Sequence, residues 1–469
     1  MLGYILLAAA GLATTLGILW RPAETAAILV LLAPVIWGRG AAELGVEARQ
    51  DAAPNIAVAV SGAATLLYAR FMLQPQDTPQ LKWLRIASIT YCLATLPSVF
   101  VTATSVFQSF SGYVRLISPV IFMFAVLHGS RPQGAHTFQF KALALSVVSL
   151  FGITVAAQYA GKGTWYMGGF DRLAAFSLSP QHVSLYSVVG LGVLLCGVLL
   201  GRYRYLYVAG IIPLLLCTYL TGYRTAWVGM AILIAVIMVV VVRSRLAMFL
   251  AVLLLFGLIS TSSVVVQSLS RYSHEDEAMS MDSLDGITSG RITTDSIAFD
   301  RYLAGNPIEW VFGIGVFSSE EVTLQDQGTP FSVHSDILST LIECGVVGLM
   351  GYLFLLAIMG WLLFPSRRRL PQEQASRIFL CVGWALFMAF VVMGISGALY
   401  TNVFVGWYFY GFIGFVLAQL KTGDGSFQSG VPTNRLDITS ALQGPYHRCD
   451  EDPVGERAYS EQYARPFDL

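Results

Sequence analysis

The chain has 469 residues, 55% of them hydrophobic and only 12% charged, with mean hydropathy +0.66 and a formal net charge of zero. A soluble globular domain carries about 25% charged residues, and the apolar residues here come in blocks of about 20, the length of a bilayer-crossing helix, so a soluble enzyme is excluded. Unbroken runs such as AILIAVIMVVVV (231–242) exclude the alternating strands of a membrane barrel, and zero net charge gives no global pull toward nucleic acid.

In chain order the apolar blocks fall at 2–20, 24–37, 54–73, 83–103, 114–130, 140–160, 182–201, 205–220, 225–242, 246–267, 336–364, 378–398 and 399–420. They predict an all-α polytopic transmembrane helix bundle of about 12–13 spans, because lipid leaves the backbone no partner outside a helix. The first block lacks the basic start of a cleaved signal peptide and reads as a membrane segment or a re-entrant start. Six cysteines, at 92, 196, 217, 344, 381 and 449, show no spacing of a disulfide framework or a zinc site. No repeat recurs at a fixed period, and no matching pair of Gly/Pro-broken spans marks a transporter. Residues 1–420 are expected to form one transmembrane domain. Residues 421–469, polar with Gly, Pro and charges, read as a disordered cytoplasmic tail.

Basic residues in the short loops set the orientation. Lys82 and Arg85, Arg131 and Lys141, Arg202 and Arg204, Arg243 and Arg245, and Arg367 to Arg369 all fall on one side under strict alternation, the predicted cytoplasmic side. The loop 268–333 then lies outside, and its eleven acids against three arginines agree. Within it, RITTDSIAFDRYLAGNP (291–307) places Ile292, Phe299 and Leu303 at helical spacing and ends on Gly305-Asn306-Pro307, so an amphipathic helix is expected over the membrane mouth. GIGVF (313–317) follows as a flexible turn.

This map sorts the candidates. His128, His136 and His447 fall inside, whereas His182, His274 and His334 fall outside. His274 belongs to HEDE, which reads as a solvated acidic run before it reads as a cation site. His334 opens the span after the loop. Its imidazole can stay neutral near pH 7 and accept a hydroxyl proton, or it can simply cap the helix. Asp336 could orient it, or favour the positive helix start. Glu343, seven residues on, is expected on nearly the same face and about 10 Å deeper along the helix. A carboxyl inside a span costs a few kcal/mol and is either functional or a hydrogen-bonded packing group. Arg224 in YLTGYRTAW (219–227) sits between two spans on the outer side, where its planar fork suits phosphate, although an arginine at a helix end can also merely snorkel. Arg291 opens the amphipathic helix and could pair with Asp295 or hold the same anion. Arg172, in MGGFDRLAAFSLSPQH, is a third outer arginine. No GxxxxGK[ST] or GxGxxG stretch offers a nucleotide site, so a bond-forming reaction would draw its energy from the substrate.

These residues resemble the O-antigen ligase and O-antigen polymerase superfamily of bacterial envelope proteins. Its motif His-Asn-x-x-Leu-x-x-Leu-x-Glu-x-Gly-x-x-Gly stands here as His334, Ser335, Leu338, Leu341, Glu343, Gly345 and Gly348, with Ser335 for the asparagine. Its Thr-Gly-Ser-Arg element stands as Thr221, Gly222, Tyr223 and Arg224, with Tyr223 for the serine. An arginine that begins a helix ending in Asn-Pro before Gly-x-Gly stands as Arg291, Asn306, Pro307, Gly313 and Gly315. A fourth element, an arginine followed by Pro-Asn, stands as Arg172 with Pro180-Gln181 and lacks the asparagine. The resemblance covers roughly residues 160–420.

The resemblance implies a metal- and nucleotide-independent membrane glycosyltransferase. It would take a glycan from undecaprenyl diphosphate and pass it to an acceptor hydroxyl, on lipid A–core or a growing polysaccharide, at the periplasmic face of the bacterial inner membrane. Arg224 and Arg291 would bind the diphosphate, His334 would be catalytic, and Arg172, Asp336 and Glu343 would support them. A polymerase of lipid-linked repeat units, a lipid-linked glycan transporter and a scaffold acting through the tail remain alternatives.

Overall fold

In a computed structural model, the described residues are 2–40, 56–74, 78–101, 106–129, 138–167, 170–176, 178–201, 203–242, 291–316, 318–319, 333, 335–365, 371, 373–396 and 403–422. They form helices α1 (Leu2–Trp20), α2 (Pro22–Gly40), α3 (Ile56–Leu73), α4 (Pro79–Thr95), α5 (Val106–Gly129), α6 (Phe138–Tyr159), α7 (Pro180–Leu199), α8 (Arg204–Thr221), α9 (Arg224–Ile237), α10 (Arg291–Leu303), α11 (Pro307–Phe312), α12 (Asp336–Leu363), α13 (Gln374–Ser396) and α14 (Val403–Thr422). One antiparallel hairpin, β1 (Thr164–Met167) and β2 (Phe170–Leu173), interrupts them. Seven of the helices are long and apolar enough to cross a membrane, and shorter apolar stretches occur in α1, α2, α3 and α9. The chain is an all-α polytopic membrane protein. The expected span 246–267 and most of the expected tail, 423–469, lie outside the described residues.

The block 83–103 is not one continuous helix. α4, capped by the Thr78 hydroxyl, stops at Thr95 and tightens into a 3₁₀ turn over Leu96–Val99. Pro97 explains the change, since it has no N–H to continue the ladder.

α14 is the centre of the bundle, with 94% of its membrane span buried. A helix that is apolar all round has no preferred lipid face and suits such a position. Association in lipid relies on close packing and hydrogen bonds rather than on expulsion of water. Accordingly, Gly406 meets Pro119 and Gly414 meets the Met123 carbonyl of α5. Trp407 stacks on Phe122 at 5.0 Å and donates its indole N–H to Ser118 Oγ at 2.8 Å. Tyr408 stacks on Tyr186 of α7 and donates to the Leu143 carbonyl of α6. α8, by contrast, is only 22% buried and exposes Leu206, Ile212 and Leu216 as a lipid-facing rim helix.

α12 is two helices. At Gly345 the backbone leaves the helical region, with φ 69° and ψ −173°. The Tyr352 hydroxyl lies 3.4 Å from Asp336 Oδ2, yet a continuous helix would set these residues about 24 Å apart. The chain therefore doubles back at Gly345 into a first arm (336–344) and a second arm (346–363). The second arm runs against α4, where Gly351 lets the helices close on Ala94 and Tyr91. This corrects the relative depth expected for the two acids. Tyr352 is about 10 Å down the second arm from the vertex, so Asp336 beside it is the deeper, and Glu343 stays at the vertex.

A Cβ at Gly345 would overlap the backbone of Val311 and approach that of Gly313. Gly201 also has positive φ, 78°, but faces open space. Gly345→Ala should therefore cost backbone strain of about 1–3 kcal/mol and the overlap as well, whereas Gly201→Ala should cost only about 1–2 kcal/mol. Thermal unfolding of the purified variants checks this, and equal shifts would contradict the close approach at the vertex.

Candidate active site

For Arg224 and Arg291 the structure describes the backbone, and His334 lies outside the described residues. The site is built from the elements that carry and flank them.

α8 ends at Gly222, which takes the left-handed conformation at φ 63° and returns its N–H to the Tyr219 carbonyl. The buried Thr221 hydroxyl donates to the Thr218 carbonyl at 2.7 Å and accepts the Tyr223 N–H. This tight corner makes Arg224 the first residue of α9. The first amides of a helix lack carbonyl partners and favour negative charge, so an arginine at this position and the helix start act in the same sense.

Arg172 lies on β2, opposite Trp165 of β1. β2 contacts α7 and α8. Those two helices are antiparallel neighbours, so the end where α7 starts is the end where α8 finishes and α9 begins. Arg172 and Arg224 thus share one end of the bundle. His182 caps α7 there: its Nδ1 lies 2.7 Å from Ser179 Oγ and 3.1 Å from the Ser179 N–H. His182, expected on the outer side, is a capping group of α7.

α10 and α11 form a locked pair. The Tyr302 hydroxyl donates to the Trp310 carbonyl at 2.7 Å, and the Trp310 indole donates to the Tyr302 carbonyl at 3.1 Å. Burial pushes the Tyr302 phenol above its ordinary value. Arg301 meets Glu309 at 3.2 Å. Asn306-Pro307 ends the first helix and also starts the second, with the Asn306 side chain accepting from the Ile308 and Glu309 amides and Pro307 in the first turn.

The Gly-x-Gly segment, expected to be a flexible turn, is bonded at two successive residues. The Ile314 N–H donates to the Ile342 carbonyl at 2.9 Å, and the Gly315 N–H to the Glu343 carbonyl at 3.2 Å. A continuous helix would offer those carbonyls to residues 346 and 347. The break at Gly345 releases them, and the turn satisfies them. Gly313 and Gly315 have φ 83° and 111°, and a Cβ on Gly313 would overlap the Glu343 backbone. The buried Ser319 hydroxyl donates to Glu343 Oε1.

A small core joins this layer: Ala298, Tyr302, Ile314, Val333 and Ile342, with Leu338 and Leu341 against it. The chain on both sides of position 334 is fixed. The Val333 carbonyl accepts from the Ser339 hydroxyl at 3.2 Å, and Ser335 caps the first arm through the Leu338 amide. Asp336 is 1% exposed and lies against Tyr352 and Gly394 of α13. The adjacent Met393 packs on Gly229 of α9, about 7.5 Å along that helix from Arg224. The helix opened by Arg224, the helix opened by Arg291 and the arm after position 334 therefore meet through α13 and the small core.

Sequence reasoning did not single out Ser319, Tyr352 or Gly394, because a serine, a tyrosine and a glycine near apolar runs carry no distinctive signal. It also passed over Arg115, an arginine inside the apolar α5 with its Nε buried, although a charge in a span is a recognised flag.

Residues 209–353 match a protein-family model described as O-antigen ligase. The match takes in Arg224, Arg291, His334, Asp336 and Glu343 and leaves out Arg172. No curated protein matches the chain.

Asn306→Ala removes the cap of α11 and should cost about 0.5–2 kcal/mol. Faster amide exchange over 307–312 together with a lower unfolding temperature is the expected result, and unchanged exchange would deny the cap its role.

Proposed function

We propose, on the match of residues 209–353 to the O-antigen ligase family model, that the chain is a glycosyltransferase-like membrane enzyme of the O-antigen ligase and polymerase superfamily, and that it transfers a glycan from undecaprenyl diphosphate to an acceptor hydroxyl at the periplasmic face of the inner membrane. Arg224 and Arg291 grip the diphosphate and stabilise the negative charge that grows on it as the glycosidic bond breaks. His334 accepts the proton of the acceptor hydroxyl as its oxygen bonds to the anomeric carbon. Undecaprenyl diphosphate leaves, and attack opposite to it inverts that carbon. Arg172, at the same end of the bundle as Arg224, adds positive charge to the anion site.

The observation that carries this reading is the fold-back at Gly345. It turns the arm that follows position 334 against α10, which starts at Arg291, and against α13, which packs on the helix starting at Arg224.

Ligation to lipid A–core is the first reading, and joining of lipid-linked repeat units is the second. Deleting the gene separates them: loss of a ligase leaves full-length polymer on the carrier, and loss of a polymerase leaves single repeats.

Lysine lacks the bidentate fork. Arg224→Lys should therefore lower transfer nearly as far as Arg224→Ala, by about 10²–10³, in an assay of purified protein with a diphosphate-linked glycan and acceptor. Transfer at the parent rate would remove Arg224 from the anion site.

A further inference from the structure

Two buried carboxyl groups lie in the first arm of α12, and their surroundings differ from those of a proton-transfer group. Asp336 and Glu343 are each 1% exposed. A general acid or base must reach the proton that it moves, directly or through one water. Here each carboxyl is turned into protein at one end of the arm. At the start, Asp336 Oδ2 takes the Tyr352 hydroxyl at 3.4 Å and sits where a Cβ on Gly394 would come within 2.6 Å. At the finish, Glu343 Oε1 takes the Ser319 hydroxyl, and the Glu343 carbonyl takes the Gly315 amide. Ser319 follows the Gly-x-Gly turn by only four residues, so side chain and backbone of Glu343 hold the same short segment.

We infer that Asp336 and Glu343 are positioning residues that clamp the two ends of the 336–344 arm, Asp336 through the Tyr352 hydroxyl in the space that Gly394 leaves open, and Glu343 through Ser319. Glu343 locks the α10–α11 layer onto the vertex; Asp336 seats the start of the arm, two residues after His334, in the bundle. Neither carboxyl takes part in the proton transfer. The clamp rests on the proposed glycosyl transfer only for its consequence in rate; its geometry stands without it.

Isosteric amides keep the accepting oxygen and remove the titration. Glu343→Gln and Asp336→Asn should therefore retain transfer within about threefold of the parent, with the same pH–rate shape, because the accepting oxygen stays in place. Glu343→Ala and Ser319→Ala release the same latch and should each lose on the order of 10²-fold, the size expected when a remote change misplaces a reacting group. Their double variant should be no worse than the poorer single one. Gly394→Ala should reproduce the loss of Tyr352→Phe without removing any polar group.

Amide exchange over 313–319 provides a readout that needs no substrate. It should quicken in Ser319→Ala and stay at the parent level in Glu343→Gln. An unchanged rate in Ser319→Ala overturns the clamp even if no sample transfers glycan, while absence of transfer by the parent overturns only the proposed reaction. The inference also falls if Glu343→Gln is as inactive as Glu343→Ala with a limb of the pH profile lost. Should Glu343→Ala or Ser319→Ala fail to fold, Tyr352→Phe decides: lowered transfer with an unchanged pH–rate shape supports the clamp at Asp336, and transfer at the parent rate overturns it.

Discussion

The arrangement depends on two backbone hydrogen bonds. Breaking a helix inside a membrane protein strands carbonyl groups, and each one left without a donor costs several kcal/mol in a lipid setting. The break at Gly345 strands those of Ile342 and Glu343, and the amides of Ile314 and Gly315 answer them. A segment from the loop before the span thereby becomes part of the span's own hydrogen bonding. The α10–α11 layer cannot leave the vertex without exposing both carbonyls, nor can the vertex straighten without expelling the layer. The mutual approach of Gly313 and Gly345 has the same origin, since only backbones without Cβ atoms can come close enough for these bonds to form.

Around this junction the bundle supplies a rigid seat. α14 is enclosed by α5, α6 and α7 through stacked rings and two side-chain hydrogen bonds, and α13 passes between α9 and the first arm of α12. Small residues decide where helices approach most closely: Gly229 under Met393, Gly394 beside Asp336 and Gly351 against α4. Each lies near the candidate site, so the packing that holds the helices together also sets the spacing of the groups they carry.

Much of this was legible from residue type and run length. Bilayer-length apolar blocks mark the spans, and residue type singles out Arg224, Arg291 and His334, whose roles are proposals. The geometry around them was hidden for identifiable reasons. Gly345 sits among Glu, Cys, Val and Val, and in an apolar run a glycine that breaks a helix looks like one that merely packs. The depth order of Asp336 and Glu343 followed from a period of 3.6, which holds only while the helix continues. Other signals were present but read too narrowly. Gly168-Gly169 between TWYM and FDRL is a hairpin signature, although the surrounding helical pattern draws attention away from it. Asn306-Pro307 has the look of a helix stop, although asparagine before proline is also a helix start. The hydroxyl of Ser319 could not be paired with Glu343 from the sequence, since the partners are 24 residues apart and meet only because the chain folds back.

The fold-back also bears on how the protein fits its membrane. Unbroken, the 28 residues of α12 would reach about 42 Å, well beyond a hydrocarbon core of about 30 Å. The second arm alone, 346–363, measures about 27 Å, close to the thickness of that core. The turn at Gly345 thus relieves a mismatch that tilting or bilayer thickening would otherwise have to absorb, and it leaves the surplus turns of helix free to serve as an inward-folded shelf.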